Sequence, residues 1–75
     1  MDDRKRRKIL KEFGQMLREV RENKGFSIQA LADTADVDRS NLSNIENGKV
    51  EISLCTIHAI AEALGIEPAE LLKKG

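Results

Sequence analysis

Residues 27–47 read SIQALADTADVDRSNLSNIEN, and this stretch predicts two short helices joined by a tight turn. Ser27 and Asp38 each precede a helical pattern, where their side chains can accept hydrogen bonds from the first free backbone N–H groups. Asp36 lies between the two patterns, and aspartate tolerates the left-handed backbone of a tight turn. The spacing therefore places one helix on each side of Asp36.

The second helix, residues 39–47, is rich in short polar side chains. Its only large apolar residues are Leu42 and Ile45. Serine and asparagine weaken a helix because they compete for its backbone hydrogen bonds. The same side chains suit a DNA groove, where asparagine can bond adenine and arginine can bond guanine bidentately. A merely solvated helix is the alternative, but solvated faces usually carry lysine and glutamate, so the composition favours DNA recognition.

Ala32 and Val37 supply the packing that a helix-turn-helix requires. A small residue lets the two helices cross closely, and an apolar residue just after the turn anchors the second helix. A steep crossing leaves that second helix prominent on the surface, where it fits the major groove of DNA. We therefore predict a helix-turn-helix over about residues 27–47.

Further helices surround this motif. Apolar residues at three- and four-residue steps predict a first helix over about 8–24, ended by Gly25. Ser53 can cap a fourth helix that stops at Gly65, and Pro68 lies at the start of a short fifth helix. No strand-like alternation occurs, so the sequence predicts an all-α fold.

Composition indicates one small domain spanning 1–75, with no membrane segment. The chain is 40% hydrophobic, and no apolar run approaches the ~18 residues of a membrane span. Its single cysteine excludes an internal disulfide and fits a reducing compartment, so we expect a cytoplasmic protein. The formal net charge is 0, but residues 1–25 hold nine basic and five acidic residues, whereas residues 26–75 hold four and eight. A local positive face can therefore still support DNA binding.

Residues 1–7 carry most of a basic cluster, Arg4–Lys8, and two interpretations stay open. A mobile basic tail is one, and an arm that touches phosphate or the minor groove is the other.

Cys55 and His58 lie three residues apart, but a metal site needs three or four ligands and no further cysteine or histidine exists. We therefore expect no metal and no cofactor.

No set of residues supports catalysis or small-molecule turnover. The chain has no Ser-His-Asp set, no glycine-rich phosphate loop and no carboxylate pair in an apolar setting. We expect a protein that is not an enzyme.

Residues 53–73 hold more large apolar side chains than one small core can enclose. A slightly apolar surface is one explanation, and a two-fold homodimer is the one we favour. The expected interface residues are Leu54, Cys55, Ile57, His58 and Ile66.

Four stretches match one known pattern: LREVRENKG at 17–25, SIQALA at 27–32, VDRSNLSNIENGK at 37–49 and IAEALGI at 60–66. In these stretches the chain resembles the phage-repressor-like helix-turn-helix proteins, also called the Cro/repressor or xenobiotic-response-element family. The resemblance covers roughly residues 9–72, and the run IENGK at 45–49 is its most specific element. The small controllers of restriction-modification genes are similar in size.

The resemblance implies a five-helix lambda-repressor-like domain and a set of DNA contacts. The implied base-edge contacts are Arg39, Ser40, Asn41 and Asn44. The implied phosphate contacts are Ser27, Ile28, Gln29, Ser43, Asn47 and Lys49, the first three through backbone N–H groups. Arg21 and Glu46 match a structural pair that joins the first and third helices.

Three residues depart from the family pattern. Ile28 stands where glutamine is frequent, which puts one polar contact in doubt or moves it to Gln29. Asp36 replaces the usual glycine of the turn, and Ile52 replaces a frequent proline. None of these changes removes the motif.

Together these features predict a sequence-specific transcriptional regulator of the repressor type. We expect helix 39–47 to read the major groove of double-stranded DNA, with a homodimer on a palindromic site. A protein-interaction module, such as an antitoxin or adaptor with the same fold, is the alternative. The zero net charge and the apolar residues after position 53 motivate it.

Overall fold

The computed structural model describes residues 1–73, which form four α-helices and one 3-10 helix, with no strand among them. The helices are α1 (Asp3–Asn23), α2 (Ile28–Ala35), α3 (Arg39–Glu46), α4 (Leu54–Leu64) and the 3-10 helix Pro68–Leu72. The predicted all-α fold is confirmed, with four α-helices, and the expected short fifth helix is this 3-10 helix. None of the helices in this range is long and apolar enough to cross a bilayer.

Helix α1 begins at Asp3 rather than near residue 8, so residues 3–7, for which a mobile tail was one interpretation, belong to the helix. The Asp2 side chain caps the helix by accepting a hydrogen bond from the backbone N–H of Lys5 at 2.8 Å. Arg6 in this first turn forms an exposed ion pair with Glu51 at 3.2 Å. Lysine and arginine are good helix formers, so a highly charged segment extended the helix although it has no apolar periodicity.

The other helix ends have the predicted caps. Ser27, Asp38 and Ser53 accept hydrogen bonds from backbone N–H groups three residues ahead, at 3.0 to 3.1 Å. Asp36 adopts a left-handed conformation with φ of 56° in the turn between α2 and α3, and Gly65 does so after α4 with φ of 73°. These local contacts set the lengths of α2, α3 and α4.

One core holds the five helices together. Its largest fully buried side chains come from every helix: Leu17, Leu31, Leu42, Ile45, Ile60 and Leu71. Small Ala32 and Ala35 of α2 are buried beside them, which allows α2 to pack against α3 and α4. The two apolar residues of α3 thus pack in the core, and its polar side chains are exposed or half-buried, apart from the buried Glu46.

The apolar residues after position 53 divide between the core and the surface. Ile57 and Ile66 are half-buried against the core, whereas Leu54 is 71% exposed and Leu72 is 65% exposed. The expectation that not all of them face inward is therefore confirmed.

Candidate nucleic-acid interface

The outer face of α3 carries all four residues predicted to meet base edges. Arg39, Ser40 and Asn41 are exposed, and Asn44 is half-buried one turn further along. Asp38 fixes the start of the helix, because its carboxylate accepts the backbone N–H of Asn41 at 3.1 Å. The face is polar, open to solvent and supported from beneath by the core.

The start of α2 shares one open depression with this face. Its lining residues are Ile28, Arg39, Ser40, Ser43 and Asn44. A duplex that contacts α3 here would also meet the first turn of α2. Ile28 and Ser43, predicted for phosphate contact, therefore share one surface with three of the four residues predicted for base contact.

The first turn of α2 offers backbone donors rather than side-chain donors. Ser27 caps the helix through its hydroxyl oxygen, which accepts the N–H of Ala30 at 3.0 Å. The first N–H groups of a helix have no intrahelical acceptor, and the positive helix end favours an anion there. The Gln29 amide instead donates to the Asp33 carboxylate on its own helix at 2.9 Å. In this arrangement the Gln29 side chain thus does not take over the polar contact that Ile28 put in doubt.

The structure pairs Arg21 with Glu46, joining α1 to the end of α3. Arg21 donates to both carboxylate oxygens of Glu46, at 2.6 Å and 3.0 Å, and to the carbonyl oxygen of Phe26 at 2.9 Å. Glu46 is only 4% exposed. The hydrogen bond to Glu46 raises the pKa of Arg21 above its usual value, against the opposing effect of burial. Glu46 is thus neutralised inside the protein instead of facing DNA as a free negative charge.

Arg18 also contacts Glu46, so the predicted pair is a cluster of three residues, and the sequence analysis missed this third one. Its guanidinium donates to Glu46 at 3.2 Å and to the Asn47 side-chain oxygen at 2.9 Å. Asn47 in turn donates from its amide to the Ser43 carbonyl oxygen at 2.9 Å. Arg18 and Arg21 are three residues apart and share a helix face, and that spacing could have identified the extra partner.

Gly14 sets how closely α1 approaches the end of α3. A Cβ at this position would lie 2.5 Å from the Ile45 carbonyl oxygen and would also collide with that of Glu46. Only a residue without a side chain permits this approach. The sequence carried no local sign of it, because Gly14 lies in mid-helix and no turn requires it.

A left-handed glycine turns the chain after α3. Gly48 has φ of 70°, and the N–H of Lys49 returns to the Asn44 carbonyl oxygen at 2.9 Å. Lys49 is exposed as a result. We name residues Asn47, Gly48 and Lys49 the α3 exit loop.

The residues predicted for a dimer interface do not have equal exposure. Leu54, Cys55 and His58 are exposed on α4, whereas Ile57 and Ile66 are half-buried against the core. The accessible part of this surface is therefore the outer side of α4.

Comparison with known proteins places this fold among named regulators. The control protein C.BamHI of Bacillus amyloliquefaciens is 41% identical over 61 residues, which cover 80% of this chain and 75% of the relative. The control protein C.MunI of Mycoplasma sp is 40% identical over 60 residues, covering 79% and 81%. The crystal structure of the restriction-modification controller protein C.AhdI from Aeromonas hydrophila matches with a TM-score of 0.82 at 47% identity, covering 83% of this chain and 94% of that one.

A family model described as a helix-turn-helix domain matches residues 14–74. This match includes α2, the turn at Asp36, α3 and α4, the elements that build the surface described above. On this match and on the relatives' identity, the chain belongs to the helix-turn-helix domain family.

Proposed function

We propose that this protein is a transcriptional regulator that binds double-stranded DNA in a sequence-specific manner through α3. The observation that carries the proposal is the outer face of α3, where Arg39, Ser40, Asn41 and Asn44 are accessible while Leu42 and Ile45 anchor the helix. An anchored helix with short polar side chains can enter the major groove, where each base pair presents a distinct pattern of donors and acceptors. The proposal requires no cofactor and no catalytic step.

Each residue of the face has a chemical role in this proposal. Arg39 is suited to a guanine, because a guanidinium can donate two hydrogen bonds to its O6 and N7 atoms. Asn41 and Asn44 are suited to adenine, which offers one donor and one acceptor in the major groove. Ser40 can contact several bases because its hydroxyl both donates and accepts.

Phosphate contacts at the two ends of α3 would hold the helix in register. At one end lie the backbone N–H groups of residues 27–29, and at the other lie Ser43 and the α3 exit loop. Lys49 is the cation we assign there, while Asn47 is oriented by Arg18 and Ser43. Contacts of this kind position a protein on DNA without reading sequence.

We further propose a homodimer through the outer side of α4, with Leu54, Cys55 and His58 at its centre and Ile57 and Ile66 at its edge. Two copies would read half-sites about one DNA turn apart, ~34 Å. The second contact would then be intramolecular, which offsets the low net charge of each chain. The named similarity to control proteins supports a role in regulating restriction-modification genes.

Selection of bound duplexes from a random pool tests the proposal, because it asks whether any sequence is enriched. Arg39→Ala should relax the base preference at one position and weaken binding to the selected duplex by ~1–3 kcal/mol. Lys49→Ala is the matched comparison: it should weaken binding to all duplexes alike and lower the salt dependence. No enriched sequence, together with co-purification of a protein partner, would favour the interaction module instead.

A further inference from the structure

Helix α1 carries a straight stripe of exposed polar side chains. Arg4, Lys8, Lys11, Gln15 and Arg18 follow one another at steps of four, three, four and three residues, and all are exposed. Residues at these steps lie on one face of a helix. We name these five residues the α1 ridge.

The inner end of the α1 ridge touches the α3 exit loop. Arg18 donates to the side chain of Asn47 at 2.9 Å. Lys11 packs so closely on Gly48 that a Cβ on this glycine would lie 2.7 Å from the Lys11 Cγ atom. Lys11, Gln15, Arg18 and Asn47 line one open depression. The ridge therefore continues, without a gap, the surface that we propose to contact phosphates.

The outer cations of the α1 ridge are not used inside the domain. Within residues 1–73, ion pairs engage Arg6 with Glu51 and Arg7 with Asp3, but none engages Arg4, Lys8 or Lys11. At the inner end of the ridge, the acidic residues Glu19, Glu22 and Glu46 share the depression with Arg18. The free positive charge is thus concentrated toward Arg4.

The two halves of the chain differ in charge. Residues 26–75 hold four basic and eight acidic residues, so the half of the chain that contains α3 is net negative. Because nonspecific attraction to DNA comes from phosphate neutralisation, the acidic excess of that half leaves its few cations, such as Lys49, as a small source of it. Only the first 25 residues have an excess of cations, nine against five acids.

We propose that Arg4, Lys8 and Lys11 form a second phosphate-binding surface, which contacts the backbone of the DNA that flanks the site read by α3. This inference rests on the proposed function, because the exit loop must meet phosphate for the ridge to extend that contact. Arg4 lies seven residues beyond Lys11, so the ridge reaches ~10 Å past the loop. That distance corresponds to roughly three base pairs of duplex. Arg18, already bonded to Glu46 and Asn47, is a positioning residue for the loop.

The test compares two double variants with the same change of charge. Arg4→Gln/Lys8→Gln removes the outer ridge. Lys5→Gln/Lys73→Gln is the control, because these two lysines lie away from the ridge. Lys5 is on the helix face of Ile9 and Glu12, and that face shares a depression with Lys73 beside the 3-10 helix. Glutamine matches arginine and lysine in helix propensity, and equal far-ultraviolet circular dichroism confirms that both variants keep α1.

Binding is measured against salt on two duplexes that carry the sequence selected by the wild-type protein. One duplex has about ten extra base pairs at each end, and the other is trimmed to the selected site. On the long duplex, each lost phosphate contact makes the negative slope of log K against log salt shallower by ~0.9. The ridge variant loses two such contacts, so its slope should be shallower by ~2 per chain. Between about 50 and 200 mM salt, the affinity of the ridge variant should therefore fall about tenfold less than that of the wild type.

On the trimmed duplex, the ridge variant and the wild type should show the same slope, because the flanking phosphates are gone. The control variant should follow the wild type on both duplexes. Equal slopes for the ridge and control variants on the long duplex would overturn the inference, while the proposed function would stand on the selected sequence. If the wild type enriches no sequence from the pool, both proposals fall.

Discussion

The ion pair between Arg21 and Glu46 should be the most costly polar interaction to break in this domain. The Arg21 side chain is 11% exposed and that of Glu46 is 1% exposed. Replacement of Arg21 by leucine removes two charge-assisted hydrogen bonds to the carboxylate and one to the Phe26 carbonyl oxygen. Because the pKa of Arg21 is raised, the residue stays charged at any pH used for folding experiments. Raising the pH therefore does not break the pair by removing the charge of Arg21, and mutation of Arg21 tests it instead.

Removal of one partner from a buried pair costs ~3–5 kcal/mol, because it leaves the other charge unpaired. Arg18 still reaches Glu46 at 3.2 Å, but its side chain is 45% exposed, so its contribution is screened and small. We expect Arg21→Leu to lose about 3 kcal/mol of the free energy of unfolding. A chain of this size has ~4–11 kcal/mol in total, and the loss should lower Tm by roughly 12–24 °C.

Urea unfolding followed by far-ultraviolet circular dichroism measures this loss, because the chain has no tryptophan or tyrosine for fluorescence. Protein concentration must be the same for all variants, since a dimer would make stability depend on it. Arg18→Leu is the matched control and should cost less than ~1 kcal/mol. Arg21→Leu/Glu46→Leu should recover much of the loss, because no charge is then left alone in the interior. An Arg21→Leu cost no larger than that of Arg18→Leu would refute this reasoning.

Three further outcomes follow from the structure. Gly14→Ala should cost ~1–3 kcal/mol, because its methyl group collides with the carbonyl oxygens at the end of α3; an unchanged Tm would show that α1 can move away without penalty. Asp36→Gly should stabilise the domain by up to ~1 kcal/mol, because glycine accepts a φ of 56° without strain. The gain is limited because glycine also loses more backbone entropy on folding. Leu54→Glu should leave a chain of 8.4 kDa in sedimentation at micromolar concentration, where the wild type should sediment as a dimer; a wild-type monomer would contradict the proposed α4 interface.

The features that could be predicted from the sequence are those set by neighbouring residues. Ser27, Asp38 and Ser53 cap their helices through contacts three residues away, which any local pattern reveals. The left-handed backbone at Asp36 follows from the break between two helical patterns. The exposed polar face of α3 also follows locally, since Leu42 and Ile45 leave only one side of a short helix for the core.

Features that depend on distant residues were missed or misplaced. The closeness of α1 to α3 depends on Gly14 meeting carbonyl oxygens more than thirty residues away. The place of Arg18 in the ion pair depends on the same packing. The first turns of α1 were missed for a different reason, because Asp3 to Arg7 contains no apolar residue whose spacing could show a helix.

Helix α3 shows how a weak helix can serve as a rigid reading surface. Serine and asparagine disfavour its helical state, yet three tertiary contacts hold it: Leu42 and Ile45 in the core, and Glu46 against two arginines of α1. None of these contacts uses Arg39, Ser40, Asn41 or Asn44. The side chains that we propose to read bases can therefore change without loss of the helix, whereas a change at Glu46 would disturb every proposed DNA contact at once. Stability and the proposed specificity are thus carried by opposite sides of the same eight residues.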